Sequence, residues 1–429
     1  MEQKLYDCYT ALLREDLITA MGCTEPIAIA YAAAKAREVL GRAPERIVAA
    51  CSGNIIKNVK SVTVPATGGM KGIAASAVVG AVGGDAGRKL EVLTAITPAA
   101  LAEARRLLEQ GICTVELLEG VPNLDIVLTV WAGGDSALVE LRDSHTNIVR
   151  VEKNGRPLYR EGGACGEQDA PDAGLLNLDD ILTYAETVPL AAIYPTLKHQ
   201  LDCNLAIAQE GLRHAYGANV GKTILRHLGQ GWEQKAMAYA AAGSDARMNG
   251  CSLPVVINSG SGNQGITVSM PVYIYAQESG ADEEALIRAL AVSNLTAIYQ
   301  KKGLGKLSAY CGAVSAATAS GAAIAWLSGA DREQISRTIT NTIANVSGIV
   351  CDGAKASCAA KIASCVSAAV TGYYMAMDGN VFQPGEGLVG SALDDTVASY
   401  TTMGRVGMAA TDVTILNMMI GRAGARRTT

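Results

Sequence analysis

The rhythm of apolar and polar positions changes twice along this 429-residue chain. Residues 3–42 carry apolar positions at helical spacing on both sides of a short break, GCTEP at 22–26. This predicts a helix, a break and a second helix. Pro26 suits the first turn of the second helix, Thr24 can cap it and Gly41 can end it. From about 45 to 160 the runs shorten and β-branched residues alternate with polar ones. RIVAACS, VKSVTV, KLEVLTAI, CTVELLEG, DIVLTVWA, SALVELRD and IVRVEKNG are read as strands. Helices are expected among them at 71–82 and 98–110, with hairpin turns or strand ends at WAGGDSA and Asn154-Gly155. From about 177 onward the pattern is helical again, in Ala-rich segments.

These changes divide the chain. The expected organisation is N-terminal helices (1–44) packing on a helical domain, an α+β domain (45–160), a Gly-, Pro- and charge-rich linker (161–176) and an all-helical domain (177–429). The fold class is α+β: a large all-helical catalytic domain plus a smaller α/β domain with a mostly antiparallel sheet. Helices at both ends of the sequence would then bring Cys23 toward Cys311 and Cys351.

Composition sharpens this picture. The chain is 49% hydrophobic but only 4% aromatic, so Ala and Gly carry the apolar content. Side chains this small let helices approach closely. A formal net charge of −5 gives no polyanion-binding footprint, so no nucleic-acid partner is expected. Residues 312–330 are uncharged and would span about 28 Å as a helix. They are mostly Ala, Gly and Ser, without a positive-inside flank or aromatic belts, so a buried helix is expected and no membrane span. The polar N-terminus carries no secretory signal. Eleven cysteines, an odd number, in a chain of this length fit reduced thiols in the cytoplasm. Cys8, Cys113, Cys165 and Cys203 have no company that suggests chemistry and read as small buried apolar residues.

Other cysteines have such company. Cys311 follows AIYQKKGLGKLSAY, and GIVCDGAKASC holds Cys351 and Cys358. Three thiolates without a nearby histidine suit a cuboidal iron–sulfur cluster with one iron left open as a Lewis acid. In one straight helix, Cα atoms seven residues apart would lie roughly 10.5 Å from each other, long for two ligands of one cluster. Gly353 permits a turn, with Asp352 as N-cap and a helix from about Ala354, so that both thiols can face one point. The competing reading makes Cys351, Cys358 and Cys365 an apolar helical stripe, and spacing alone leaves both open. Cys23 is expected just before a helix N-terminus, where the dipole favours a thiolate. SGSGNQG at 259–265 can cradle a carboxylate on backbone N–H groups or form a plain turn. TGGMKG at 67–72 has the same two readings. The four histidines show no metal spacing, and His145 reads as a turn residue. Lys355 is placed to bind an anionic group.

MGCTEP, SGSGNQG, SAYCGA and CDGAKASC together resemble the L-cysteine desulfidases, which are similar to the alpha chain of iron–sulfur-dependent L-serine dehydratases. The resemblance covers nearly the whole length. It implies a 4Fe–4S cluster and elimination of hydrogen sulfide from L-cysteine to give pyruvate and ammonia. Cys311, Cys351 and Cys358 match the expected cluster ligands and Cys23 the proton acceptor; an alternative correspondence makes Cys23 a ligand in place of Cys358. The tail GRAGARRTT lacks the cysteine that serine dehydratases can supply to their site, which points away from strict serine-dehydratase behaviour. Ser261 and Asn263, in the Gly/Ser segment, are the expected substrate-binding residues. A small amino-acid substrate and a homodimer are the expected partners. An L-serine dehydratase of the same mechanism, a zinc-bound enzyme of this fold and a non-catalytic cluster-based sensor are the competing readings.

Overall fold

The computed structural model describes residues 1–161, 171–304 and 308–422. Most of the expected linker, Cys165 within it, part of the segment before Cys311 and the tail beyond Arg422 lie outside these residues.

A mixed sheet and a large body of helices make up the molecule, the α+β class expected. The strands are β1 (Thr19–Met21), β2 (Arg46–Ser52), β3 (Cys113–Leu118), β4 (Asp125–Ala132), β5 (Asp135–Arg142), β6 (Ile148–Lys153), β7 (Arg156–Arg160) and β8 (Pro254–Val256). Six form one sheet in the order β3-β2-β4-β5-β6-β7. Only β2 and β3 run parallel; the other pairs are antiparallel. Gly133-Gly134 and Asn154-Gly155 turn two of the hairpins with positive φ at both positions, which suits the twist of the flanking strands. The helix Thr24–Leu40 lies across β4 and β5 and packs on the helix Gly72–Gly83, while Gln3–Asp16 packs in the helical body. The N-terminal pair is therefore shared between the two regions.

Two expected strands are absent. VKSVTV follows the helix Gly53–Val59 and keeps only a single bridge, Thr63 to Lys71. KLEVLTAI forms a 3-10 turn over Ala86–Glu91. Val92 and Leu93 are buried side by side while Thr94 and Ala95 are both exposed, so burial does not alternate as a half-exposed strand requires. Conversely, β7 is entirely exposed and pairs only through its backbone, so it carries no apolar alternation to announce it.

In the helical body small residues do what composition suggests. A Cβ added at Gly211 would stand 2.0 Å from Ala242 O, and one at Gly80 would stand 2.3 Å from Ala30 O. The uncharged segment becomes the helix Ala313–Leu327, buried from Ala313 to Ala325 between the helices Gly262–Ser279, Glu283–Lys301, Arg332–Asn345 and Cys358–Met377. Among the described residues no helix is long and apolar enough to cross a membrane.

A buried polar network holds β8. Asn204 donates to Val256 O (3.1 Å) and accepts from Val256 N (3.0 Å). Gln200 and Asn294 exchange amide bonds, and Asn258 donates to Asn294. With all four amides fully buried and bonded, the segment leaving β8 has one position available to it.

Candidate functional site

Three short pairings bring distant motifs together. β1 and β8 pair antiparallel, with Ala20 opposite Val255, which sets GCTEP beside SGSGNQG. Thr24 Oγ1 lies 3.1 Å from Gly260 O across this junction. Cys311 N donates to Ile349 O (2.8 Å) and Cys351 N to Ala309 O (2.7 Å), which aligns the other two cysteine segments. Gly353, at φ +96°, turns the chain against the helix Gly53–Val59; a Cβ there would meet Lys57 O at 2.2 Å. One cavity results, lined by Cys23, Cys311, Cys351 and Cys358 with Ser261 and Asn263. Every site residue expected from the sequence therefore faces the same space. A larger cavity of ≈ 520 Å³ beneath the helix Ala409–Met419 shares Ser308 with it but contains no thiol.

Local details differ from expectation. The last helix of the cluster segment begins at Cys358, not Ala354, and Ser357 is its N-cap. Asp352 is engaged elsewhere: its carboxylate pairs with Lys355 Nζ (2.7 Å) and with Lys361 Nζ. Lys355 is thus neutralised within its own turn. Cys351 stands off the helix, which removes it from the apolar stripe; Cys358 and Cys365 do share the helix, and Cys365 is buried outside the cavity lining. SGSGNQG is half turn, half helix: Ser261 is the N-cap and Gly262 the first residue of Gly262–Ser279. CSGNIIKN has the same form, with Ser52 as N-cap and Gly53 opening Gly53–Val59. The TGGMKG segment is a turn, with Arg105 donating to Thr67 O (3.1 Å).

Cys23 lies just before the helix Thr24–Leu40, as expected, and takes the N-cap position expected of Thr24, but its thiol is not a ready thiolate. Burial and the Glu25 carboxylate push it well above its usual range, outweighing the helix terminus. Cys23 Sγ donates to Glu25 Oε2 at 3.0 Å. Asn58 Nδ2 donates to Glu25 Oε1 (2.9 Å), and Thr24 Oγ1 is 3.1 Å from Oε2. Burial pushes Glu25 up, but His145, the Cys23 thiol and Arg247 together hold it below its usual value. The opposite balance holds at Cys351. There the Cys311 thiol donates to the sulfur, and against the cost of burial Lys57, the Gly353 N–H and Lys361 also favour the thiolate. Cys311 keeps the shared proton.

Sequence reading did not foresee this arrangement in full. Glu25 was read only as a group that could tune Cys23, His145 as a turn residue and Lys301 as part of a short solvated basic cluster, whereas Lys301 is buried; Arg247 was not singled out. His145 is buried within electrostatic reach of Glu25. Arg247 and Lys301 line the cavity, and Arg247 Nη1 donates to Asn263 Oδ1 (3.1 Å).

Comparison with known proteins follows this geometry. Residues 87–417 match the family model described as serine dehydratase alpha chain, which takes in all three C-terminal thiols. The chain belongs to the serine dehydratase alpha chain family. Among its relatives are a UPF0597 protein of Lachnoclostridium phytofermentans, 49% identical over 98% of this chain and 100% of the relative. Others are UPF0597 proteins of Desulfitobacterium hafniense (45% identical, 99% of each chain) and Treponema denticola (45%, covering 98% of this chain and 99% of the relative). Family membership supports a lyase-type enzyme with dehydratase-type chemistry.

Proposed function

We propose that the chain is an iron–sulfur-dependent L-cysteine desulfidase, eliminating hydrogen sulfide from L-cysteine to give pyruvate and ammonia. The observation that carries this reading is the convergence of four thiols from three separate segments on one cavity that also holds a buried carboxylate and two buried cations.

The donor set fits a cluster better than a single ion. Among the described residues no three His, Cys, Asp or Glu side chains converge as one ion requires. Ligands of a cuboidal cluster each meet a different iron, so three thiols lining one cavity suit it, and the supply is all sulfur. Cys311, Cys351 and Cys358 would hold the 4Fe–4S cluster, which supplies an open iron as Lewis acid for the departing group. The surrounding lysines Lys57, Lys301 and Lys361 offset the charge that the sulfurs bring.

The remaining steps belong to this chain's own residues. Cys23 passes its proton to Glu25 Oε2, and the thiolate then takes the Cα proton of the substrate. The Cα–H electron pair forms the Cα–Cβ double bond, and the Cβ–S pair leaves with sulfur as HS⁻. The aminoacrylate released tautomerises to an imine and hydrolyses to pyruvate and ammonia. The proton on Glu25 Oε2 goes to the departing HS⁻, which leaves as H₂S, and Asn58, His145 and Arg247 favour the return of Glu25 to its carboxylate form. Ser261 and Asn263 line the substrate side.

The family description favours a second reading, L-serine as substrate by the same route with hydroxide leaving. Pyruvate release from L-cysteine and from L-serine, measured anaerobically on one sample, decides between them. Faster turnover of L-cysteine supports the desulfidase; turnover of L-serine alone replaces it with a dehydratase; neither, in protein that contains iron and sulfide, rejects both.

A further inference from the structure

Two buried cations face the thiol cavity without a carboxylate partner at ion-pair distance among the described residues. Arg247 is 2% exposed and Lys301 7%. Glu25 acts on Arg247 and Asp16 on Lys301 from beyond ion-pair distance, so these buried charges are only partly compensated and an anion that arrives later gains by meeting them. The two differ in their surroundings. Lys301 acts on the Cys311 and Cys351 sulfurs. Arg247 acts on Cys23, Glu25 and Cys358, between the proton acceptor and the ligand set.

The guanidinium is seated by a missing side chain. A Cβ at Gly262 would stand 2.3 Å from Arg247 Nε. Gly262 lies in a helix without positive φ, so room, not backbone freedom, is what glycine provides there. Gly312 does the same for Gln264, whose amide atoms would lie 2.4–2.6 Å from an added Cβ. Asn263 Oδ1 takes one hydrogen of the guanidinium. Arg247 Nε and Gln264 Oε1 are buried and have no hydrogen-bond partner among the described residues. A fork donor and an amide acceptor, side by side in one cavity, complement a carboxylate and an ammonium.

We propose that Arg247, held by Asn263 and seated against Gly262, is the receptor for the α-carboxylate of a free α-amino acid, with Gln264 Oε1 accepting from its ammonium. The substrate class is therefore α-amino acids with an unblocked carboxylate. This deepens the desulfidase reading and rests on it for the identity of the side chain that leaves.

The test is calorimetric titration of the anaerobically purified full-length protein with L-alanine, which has no leaving group, and with L-alaninamide. Wild type binds L-alanine at least about tenfold more tightly than the amide. Arg247→Gln and Gly262→Ala each weaken L-alanine about tenfold to a hundredfold and erase the preference, and Arg247→Lys retains part of it. Iron and sulfide contents stay at the wild-type level, and thermal melts report folding; should Arg247→Gln not fold, Gly262→Ala and Arg247→Lys carry the test. Failure of wild type to bind L-alanine, equal binding of the amide, or L-alanine affinity within twofold of wild type in the folded variants overturns the receptor. Loss of iron in Arg247→Gln also overturns it, because the guanidinium then serves the cofactor. Arg247-dependent L-alanine binding without L-cysteine turnover upholds the receptor and sinks the desulfidase. Full L-cysteine turnover with an unchanged KM in Arg247→Gln does the reverse.

Discussion

Cys23 and Cys351 line one cavity, and the protein treats them in opposite ways. Both thiols are buried deeply enough that desolvation disfavours the thiolate. At Cys23 the nearest charge is the Glu25 carboxylate, 3.0 Å away, and the thiol keeps its proton. At Cys351 the neighbours are a donating thiol, a backbone N–H and two lysines, and the thiolate wins. Burial is common to both; a donated hydrogen bond, helped by nearby lysines, decides at Cys351, and burial reinforced by a neighbouring carboxylate decides at Cys23. The difference separates a group that must exchange a proton from one suited to hold metal.

The largest expected effect comes from the ligand side. Cys351→Ala and Cys311→Ala should lose iron and acid-labile sulfide, and pyruvate formation should fall to the blank. Cys23→Ala should keep its iron while turnover falls about 10²- to 10⁴-fold. Iron loss in Cys23→Ala with retention in Cys358→Ala would exchange the roles of those two residues and end the comparison as drawn.

Glu25→Gln sharpens it. Removing the carboxylate removes a charge that raises the Cys23 thiol, so thiolate forms at lower pH. Iodoacetamide labelling of Cys23, followed by mass spectrometry across pH, should shift toward neutral pH in the variant. Turnover should nevertheless fall, because the proton acceptor at Oε2 is gone. In wild type the raised thiol makes turnover climb as pH rises into the alkaline range; a flat profile through that range contradicts Cys23 as base.

Asp352→Asn gives the smallest effect. Lys355 and Lys361 hold this carboxylate down to about 2 despite the opposing effect of burial. A depressed carboxylate contributes stability above its unfolded value of 3.8, and that contribution fades as pH falls through about 2. Asp352 is 40% exposed, so removing the charge should cost only about 1 kcal/mol or less near neutral pH, read from denaturant midpoints. The difference between wild type and variant should vanish by about pH 2.

Much of this site was legible in the chain because its glycines, cysteines and prolines punctuate it. GCTEP read as a helix start, and Gly41 ends that helix in the left-handed region. Gly353 read as a turn and is one. Local logic failed where tertiary contact took over. Asp352 had the chemistry of an N-cap, but two lysines claim it and the helix starts four residues late. KLEVLTAI had strand composition, but from Val92 to Ala95 its buried and exposed residues come in pairs and not in alternation. Arg247 was invisible because it sits in the Ala-rich helix Trp232–Met248 with no flanking motif. The three-residue pairing of β1 with β8, too short to detect from periodicity, and the bond from Thr24 to Gly260 O bring the base and the segment that contacts Arg247 together. His145 was discounted for the same reason: its turn gave no sign that Glu25 lay across from it.

The central claim is that these thiols serve elimination from L-cysteine. Pyruvate and sulfide released from L-cysteine by anaerobically prepared wild-type protein, quantified together, test it most directly. Equal amounts of the two products, formed over many turnovers, are the expected result. Iron- and sulfide-loaded protein that releases neither would contradict it.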